Sequence, residues 1–167
     1  MSVITFRMPF GIQGDISRPS LATVESQALN SAAAFAQYGL PGKVSSSKFV
    51  PVSAQNDVVY GFLLRPFPIT GVNASDALGT SVPPTTGIAS ILRRGYLSVL
   101  VQLGSASCAL GSAVFVRYQN PSGSQIVAGV EGATTGNTYQ LISTYGGPAY
   151  FTGPADGNNI AEVGFNI

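Results

Sequence analysis

Short apolar runs alternate with clusters of Gly, Pro, Asn and Ser about every ten residues along this chain, a spacing that predicts an all-β sandwich or barrel. Several runs have period two, so that one face of a strand is apolar. In the run from Tyr96 to Leu103, Leu97, Val99, Val101 and Leu103 share a face, while Tyr96, Ser98, Leu100 and Gln102 form a more polar one. At the other end Ala161, Val163, Phe165 and Ile167 alternate with Glu162, Gly164 and Asn166. Near the start Ile4, Phe6 and Met8 alternate with Val3, Thr5 and Arg7.

Val58 to Leu64 is more continuously apolar, as expected of a strand covered on both faces. Arg65-Pro66-Phe67-Pro68 ends it, because proline removes ladder donors. Ala113 to Tyr118 and Gln125 to Val130 read as two strands of a hairpin turned by Asn120-Pro121-Ser122-Gly123. The only helix candidate is Ala28 to Gln37, favoured by its Ala run, interrupted by Asn30 and Ser31, and stopped by Gly39 and Pro41. Residues 70–87 form a polar, Pro-containing connection without strand signal, and a loop of that length is usually functional or draped on something. Met8 to Ser20 is punctuated by Gly and Pro. The expected organisation is an N-terminal arm over residues 1–20 and one β-rich domain over residues 21–167. The expected fold is a jelly-roll-like sandwich or barrel with that arm and a long central loop. No repeat with a period of about 20–50 residues is present.

Composition narrows what such a fold could do. The 167 residues contain no His, no Trp and one Cys, and only 9% are charged, against roughly 25% in ordinary soluble domains. The formal charge is +1, so no general field favours nucleic acid or anionic lipid. A charge-poor surface is cheap to cover with partner subunits, because few ions lose their water. The N-terminal residues lack a basic stretch followed by an apolar core, so no signal peptide is expected. No apolar run approaches the about 18 residues of a membrane span.

Candidate chemistry is sparse. Without His, Ser-His and Cys-His nucleophiles are impossible, and transition-metal ligands are nearly lacking. Seven scattered acids give no pointer to a paired-carboxylate site. Asp156-Gly157-Asn158-Asn159 lacks the acidic spacing of a calcium loop and reads as a turn. Gly132-Ala133-Thr134-Thr135-Gly136 lacks the Lys of a phosphate loop and reads likewise. Cys108 reads as a small, semi-buried hydrophobe. Arg93-Arg94 fits either a solvated strand start with a local ion pair or a planar anchor for acidic residues of a partner subunit.

Several segments together resemble one family. Val59-Tyr60-Gly61-Phe62-Leu63-Leu64-Arg65-Pro66-Phe67-Pro68, Ser75-Asp76-Ala77-Leu78-Gly79-Thr80-Ser81-Val82-Pro83-Pro84 and Leu92-Arg93-Arg94-Gly95-Tyr96-Leu97-Ser98-Val99 are similar to stretches of the structural cement proteins of tailed bacteriophages. So are Ala149-Tyr150-Phe151-Thr152-Gly153-Pro154-Ala155-Asp156 and the ending Glu162-Val163-Gly164-Phe165-Asn166-Ile167, together with Phe6 to Pro9 and Arg18. The resemblance spans most of the chain in order and is weakest over Ser26 to Gln37 and Ser105 to Ser107. It implies a non-enzymatic capsid decoration protein, made in the bacterial host cytoplasm and carried on the outer face of the virion. It would sit there as a dimer or trimer, clamping neighbouring major capsid subunits.

The expected partners are therefore the major capsid protein and further copies of this chain, with no cofactor, metal, nucleic acid or membrane. Phe6, Arg7, Met8, Arg93 and Arg94 are the candidate inter-subunit contacts. The principal alternative is a head-surface receptor- or carbohydrate-binding sandwich using Tyr and Phe platforms, which the lack of Trp disfavours. A depolymerase-type enzyme and the major capsid protein itself fit less well.

Overall fold

The computed structural model of the chain describes residues 11–66, 82–141 and 143–167. Its strands are β1 (Thr23–Ala28), β2 (Pro41–Ser45), β3 (Lys48–Pro51), β4 (Gly61–Leu63), β5 (Ile88–Leu103), β6 (Phe115–Arg117), β7 (Val130–Glu131), β8 (Thr138–Gln140), β9 (Ala149–Phe151) and β10 (Ile160–Phe165). The strand-rich reading and its sandwich-like character agree with this structure.

Everything is organised on β5, whose 16 residues join all the ladders into one mixed sheet. β1 lies antiparallel along residues 88–94 on one edge, and β4 pairs with Ile91 and Leu92 on the other. β10 pairs with residues 95–100 and carries β9. β7 joins the far end in parallel at Val101 and Leu103 and leads to β6 and β8. The β2–β3 hairpin extends the sheet beyond β4, and a parallel bridge from Phe49 of β3 to Leu29 brings this strip round almost to closure.

The core is one contiguous apolar cluster, including Phe35 stacked on Phe49 at 4.9 Å and Phe62 edge-on to Phe165 at 5.1 Å. Phe62, Leu63 and Leu64 are all buried, as the continuous apolar run predicts. Leu97, Val99 and Val101 are buried, as are Ala161, Val163 and Phe165, whereas Leu103 and Ile167 at the ends of those faces are exposed.

Three local expectations are corrected. Ala28 to Gln37 forms no helix. Ala28 ends β1, and the Asn30 side chain accepts from the Ala32 N–H (3.1 Å) in a single turn. Leu29 and Phe35 are drawn into the core from this segment, and Tyr38 just after it, so burial overrides the Ala run. The hairpin exists, because Phe115 pairs with Glu131 and Val116 with Val130, but of residues 125–130 only Val130 is strand. Ala128 (φ 65°) turns back to donate to Arg117 O (2.8 Å), and Ile126 N–H donates to Gln102 Oε1 (2.6 Å), which uses up the backbone a longer ladder needs. Finally, β5 begins well before Tyr96. Ile91 and Leu92 are buried on opposite faces, so no alternation betrays that half.

Of the arm expected over residues 1–20, residues 1–10 lie outside the described residues. Residues 14–17 run along this chain's own β5: Gly14 N–H donates to Ser98 O (2.8 Å), Ser98 N–H to Asp15 O (2.9 Å) and Ser17 N–H to Tyr96 O (3.1 Å). A 3-10 turn at Pro19–Leu21 then links this segment to β1. Gly95 (φ 135°) admits that turn, since a Cβ there would stand 3.0 Å from Ala22 Cα. Of the loop expected over residues 70–87, residues 70–81 also lie outside the described residues, and residue 87 accepts the Leu29 N–H at 2.8 Å.

Candidate functional site

The charged side chains are few, and the fold spends most of them internally. Arg117 on β6 meets Glu131 on β7 in a wholly buried pair at 2.6 and 3.2 Å, closed by Thr135, whose hydroxyl donates to Glu131 Oε2 (2.8 Å) and accepts from Arg117 Nη2 (2.7 Å). Arg18 grips Glu162 of β10 bidentately at 3.2 and 2.7 Å, lies 4.0 Å above the Tyr96 ring, and shares the carboxylate with Thr152 Oγ1 (2.5 Å). Lys43 holds Asp57 at 2.6 Å, and Arg65 sits 3.8 Å from Asp15 and 4.7 Å over Tyr38.

Arg93 is likewise engaged within the chain. Its guanidinium stacks on Tyr60 at 3.6 Å, lies 3.5 Å from Glu25 and bonds Tyr60 O. Tyr60 in turn donates to Glu25 and accepts from Gln27 Nε2 (3.1 Å). Arg94, one residue on, is exposed. Among the described residues, Lys48 and Arg94 are the basic side chains without a carboxylate partner. Arg94 borders a groove with Leu21, Ala22, Thr23 and Ile167, of which Leu21 and Ile167 are exposed hydrophobics. The structure thus separates the two adjacent arginines that the sequence offered as one unit. Phe6, Arg7 and Met8 lie outside the described residues.

What remains outward among the described residues is mostly uncharged Ser, Thr, Asn and Gln, with large apolar side chains set among them. Ile88 is 76% exposed, Leu110 79% and Val58 60%, with Val24 and Val44 also open. Among the described residues no group of three metal-ligating side chains occurs. Asp156 forms a turn, its Oδ1 accepting from Asn158 N–H (2.9 Å) and Ile160 N–H (2.8 Å). Cys108 is buried, and that burial pushes its thiol up to about 11, well away from reactive thiolate chemistry.

Sequence reasoning missed the Arg117–Glu131 and Arg18–Glu162 pairs. Glu162 occupies the polar phase of an alternating strand, and nothing local indicates that residues 14–18 fold over it.

These pairs set an acid limit on stability. Burial pushes Glu162 and Asp57 up, but Arg18, Ser17 and Thr152 around the one, and Lys43 with two backbone N–H groups around the other, outweigh it and leave both below the usual range. A carboxylate with a lowered folded pKa contributes stability that is full above its unfolded pKa and is lost as pH falls through the folded one. Asp15, raised mainly by desolvation, acts in the opposite sense, one group against two. The melting temperature should therefore be flat from neutrality to about pH 5 and fall below about pH 4. Differential scanning calorimetry checks this. Glu162→Gln should lower the plateau and shallow the acid slope, and an unchanged slope would remove Glu162 from the account.

Comparison with known proteins bears on this surface. The family model for the XM1 gp53 minor capsid protein matches residues 1–165. A solved structure described as the capsid of Myoviridae phage XM1 contains a chain that superposes with a TM-score of 0.63 at 14% identity, covering 99% of this chain and 97% of that one. At that identity the likeness shows the fold. No curated protein matches. Matched over nearly its whole length by this one family model, the charge-poor β chain belongs to the XM1 gp53 minor capsid proteins, a family of phage capsid components.

Proposed function

We propose that the chain is a cement protein. It binds the outer surface of a tailed-phage head as a dimer or trimer and bridges neighbouring major capsid subunits. The observation that carries this reading is the surface itself: five of the described acids are held in ion pairs within the chain, leaving uncharged polar and apolar side chains, with Lys48 and Arg94, to face partners. Such a surface adheres over area and does not need a pocket. Arg94, exposed beside Leu21 and Ile167, is the arginine suited to an acidic group of a neighbouring subunit, whereas Arg93 already has its partners. Family membership supports placement in the capsid.

A protein that binds only the assembled shell stabilises it by linkage, summed over many sites. Full heads stripped of this chain should release DNA at a lower temperature, followed by dye fluorescence, and purified protein should restore the difference. Arg94→Ala protein should restore less than the parent, most clearly at low salt and with a gap that narrows as salt screens the pair, because truncating one partner of an interfacial charge pair costs about 2–5 kcal/mol. Equal release temperatures with and without the protein would overturn cementing and favour the receptor- or glycan-binding alternative.

A further inference from the structure

One side of the sheet ends in a strand that the described chain leaves incompletely paired. β1 bonds β5 along one edge, and β3 reaches its other edge only at the far end, through Leu29 and Phe49. Leu29 N–H donates to Gly87 O, and Ser90 O is turned away to accept from Leu64 N–H. By the alternation of an antiparallel ladder, Glu25 and Gln27 direct their backbone groups at β5, and Val24 and Ser26 direct theirs outward. Thr23 to Ser26 are exposed, and this edge has neither proline nor an inward-pointing charge to block pairing.

We propose that the edge of β1 receives residues 5–8 of a second copy of this chain as an added antiparallel strand, with Met8 opposite Val24, Arg7 opposite Glu25, Phe6 opposite Ser26 and Thr5 opposite Gln27. The idea rests on the reading above only in requiring copies to meet. The register follows from complementarity. It sets Phe6 and Met8 on the face shared by Val24, Ser26, Ser90 and the 76%-exposed Ile88, where the two serines leave room for a ring. It sets Thr5 and Arg7 on the face of Gln27 and Glu25, the only acid of β1, whose carboxylate already meets Arg93 at 3.5 Å yet keeps 44% of its side chain open to a second cation. Pro9 then falls opposite Thr23, at a position whose N–H would point away from β1, where proline is tolerated.

Reach decides between the chain's own segment and a neighbour's. Gly11 sits level with Ser98, since a Cβ built on it would lie 3.7 Å from Ser98 Oγ. Val24 is level with Leu92. The strand distance between those levels is about 20 Å, whereas the chain from Gly11 back to Met8 spans at most about 11 Å. In this register the donor must be another copy.

The test is disulfide trapping, on decorated heads and on the concentrated free protein. Hydrogen-bonded strand pairs hold their Cα atoms near 5.5 Å, a separation a disulfide fits. The buried Cys108 does not compete. Mixing Phe6→Cys protein with Ser26→Cys protein should give a covalent heterodimer, and Phe6→Cys with Gln27→Cys, on opposite faces, should link several-fold more slowly. An intramolecular bond in the Phe6→Cys, Ser26→Cys double variant, equal linking in both registers, or no linking on heads or in solution would each overturn the strand addition. If linking fails while the protein still raises the release temperature of heads, strand addition falls and cementing stands.

Discussion

Replacing Arg117 by methionine is expected to destabilise the folded chain by about 3–5 kcal/mol, a large part of the total for a domain of this size. The methionine fills the space but leaves the Glu131 carboxylate buried, with only Thr135 to bond it. The carbonyls of Gln119 and Asn120, which now accept from Arg117 Nη1, lose that donor as well, so the loop after β6 should loosen. The double variant Arg117→Met, Glu131→Leu removes both charges and should recover most of the loss, because a buried pair can be exchanged for apolar packing at little net cost. Urea denaturation of the four proteins in this cycle measures the coupling directly. A single variant as stable as the parent would mean that the pair is solvated, contrary to its burial.

Gly14→Ala is the second large effect. Gly14 has φ 87°, and an added Cβ would lie 2.5 Å from Tyr38 Cβ and 3.1 Å from Gly39 N. The left-handed backbone alone costs a non-glycine residue about 1–3 kcal/mol, and relieving the overlap must lift residues 11–18 from β5. Lifting them breaks the bonds to Ser98 and Tyr96 and withdraws Arg18 from Glu162. The variant should melt earlier and be cleaved faster at its N-terminal end. Gly157→Ala, where a Cβ would meet nothing within 4 Å, serves as the neutral control. Equal cleavage rates for the two would show that residues 11–18 are not held by this contact.

The legible parts of the sequence were those whose pattern is carried by one strand alone. Leu97, Val99 and Val101, or Ala161, Val163 and Phe165, announce a buried face by period two, and Phe62 to Leu64 announce burial on both faces by continuity. The illegible parts depend on partners distant in the chain. Leu29 and Phe35 become core because Phe49 stands beside them, and Tyr38 because Arg65 and Gly14 cover it, which no helix rule could register. Glu131 and Glu162 look like solvent-facing acids until Arg117 and Arg18 are brought to them. Arg93 and Arg94 look equivalent until Tyr60 and Glu25 claim the first.

The central position of β5 also sets the order in which the chain can fold during synthesis. Thr23 pairs with Arg94, and the β2–β3 hairpin reaches β5 only through β4, so the first part of the chain waits for residues 88–103 before its ladders can close. At about 5–20 residues per second, roughly 3–14 s separate the ribosome's delivery of β1 from that of its pairing partner. During that interval exposed apolar segments and open strand edges invite pairing with neighbouring nascent chains. Leu100 waits in turn for Ile160, so closure of the core comes only when nearly all of these residues have been made. Slow, late folding of this kind favours production at low temperature or with chaperones, which keep those open edges apart until Ile160 arrives to close the ladder on Leu100.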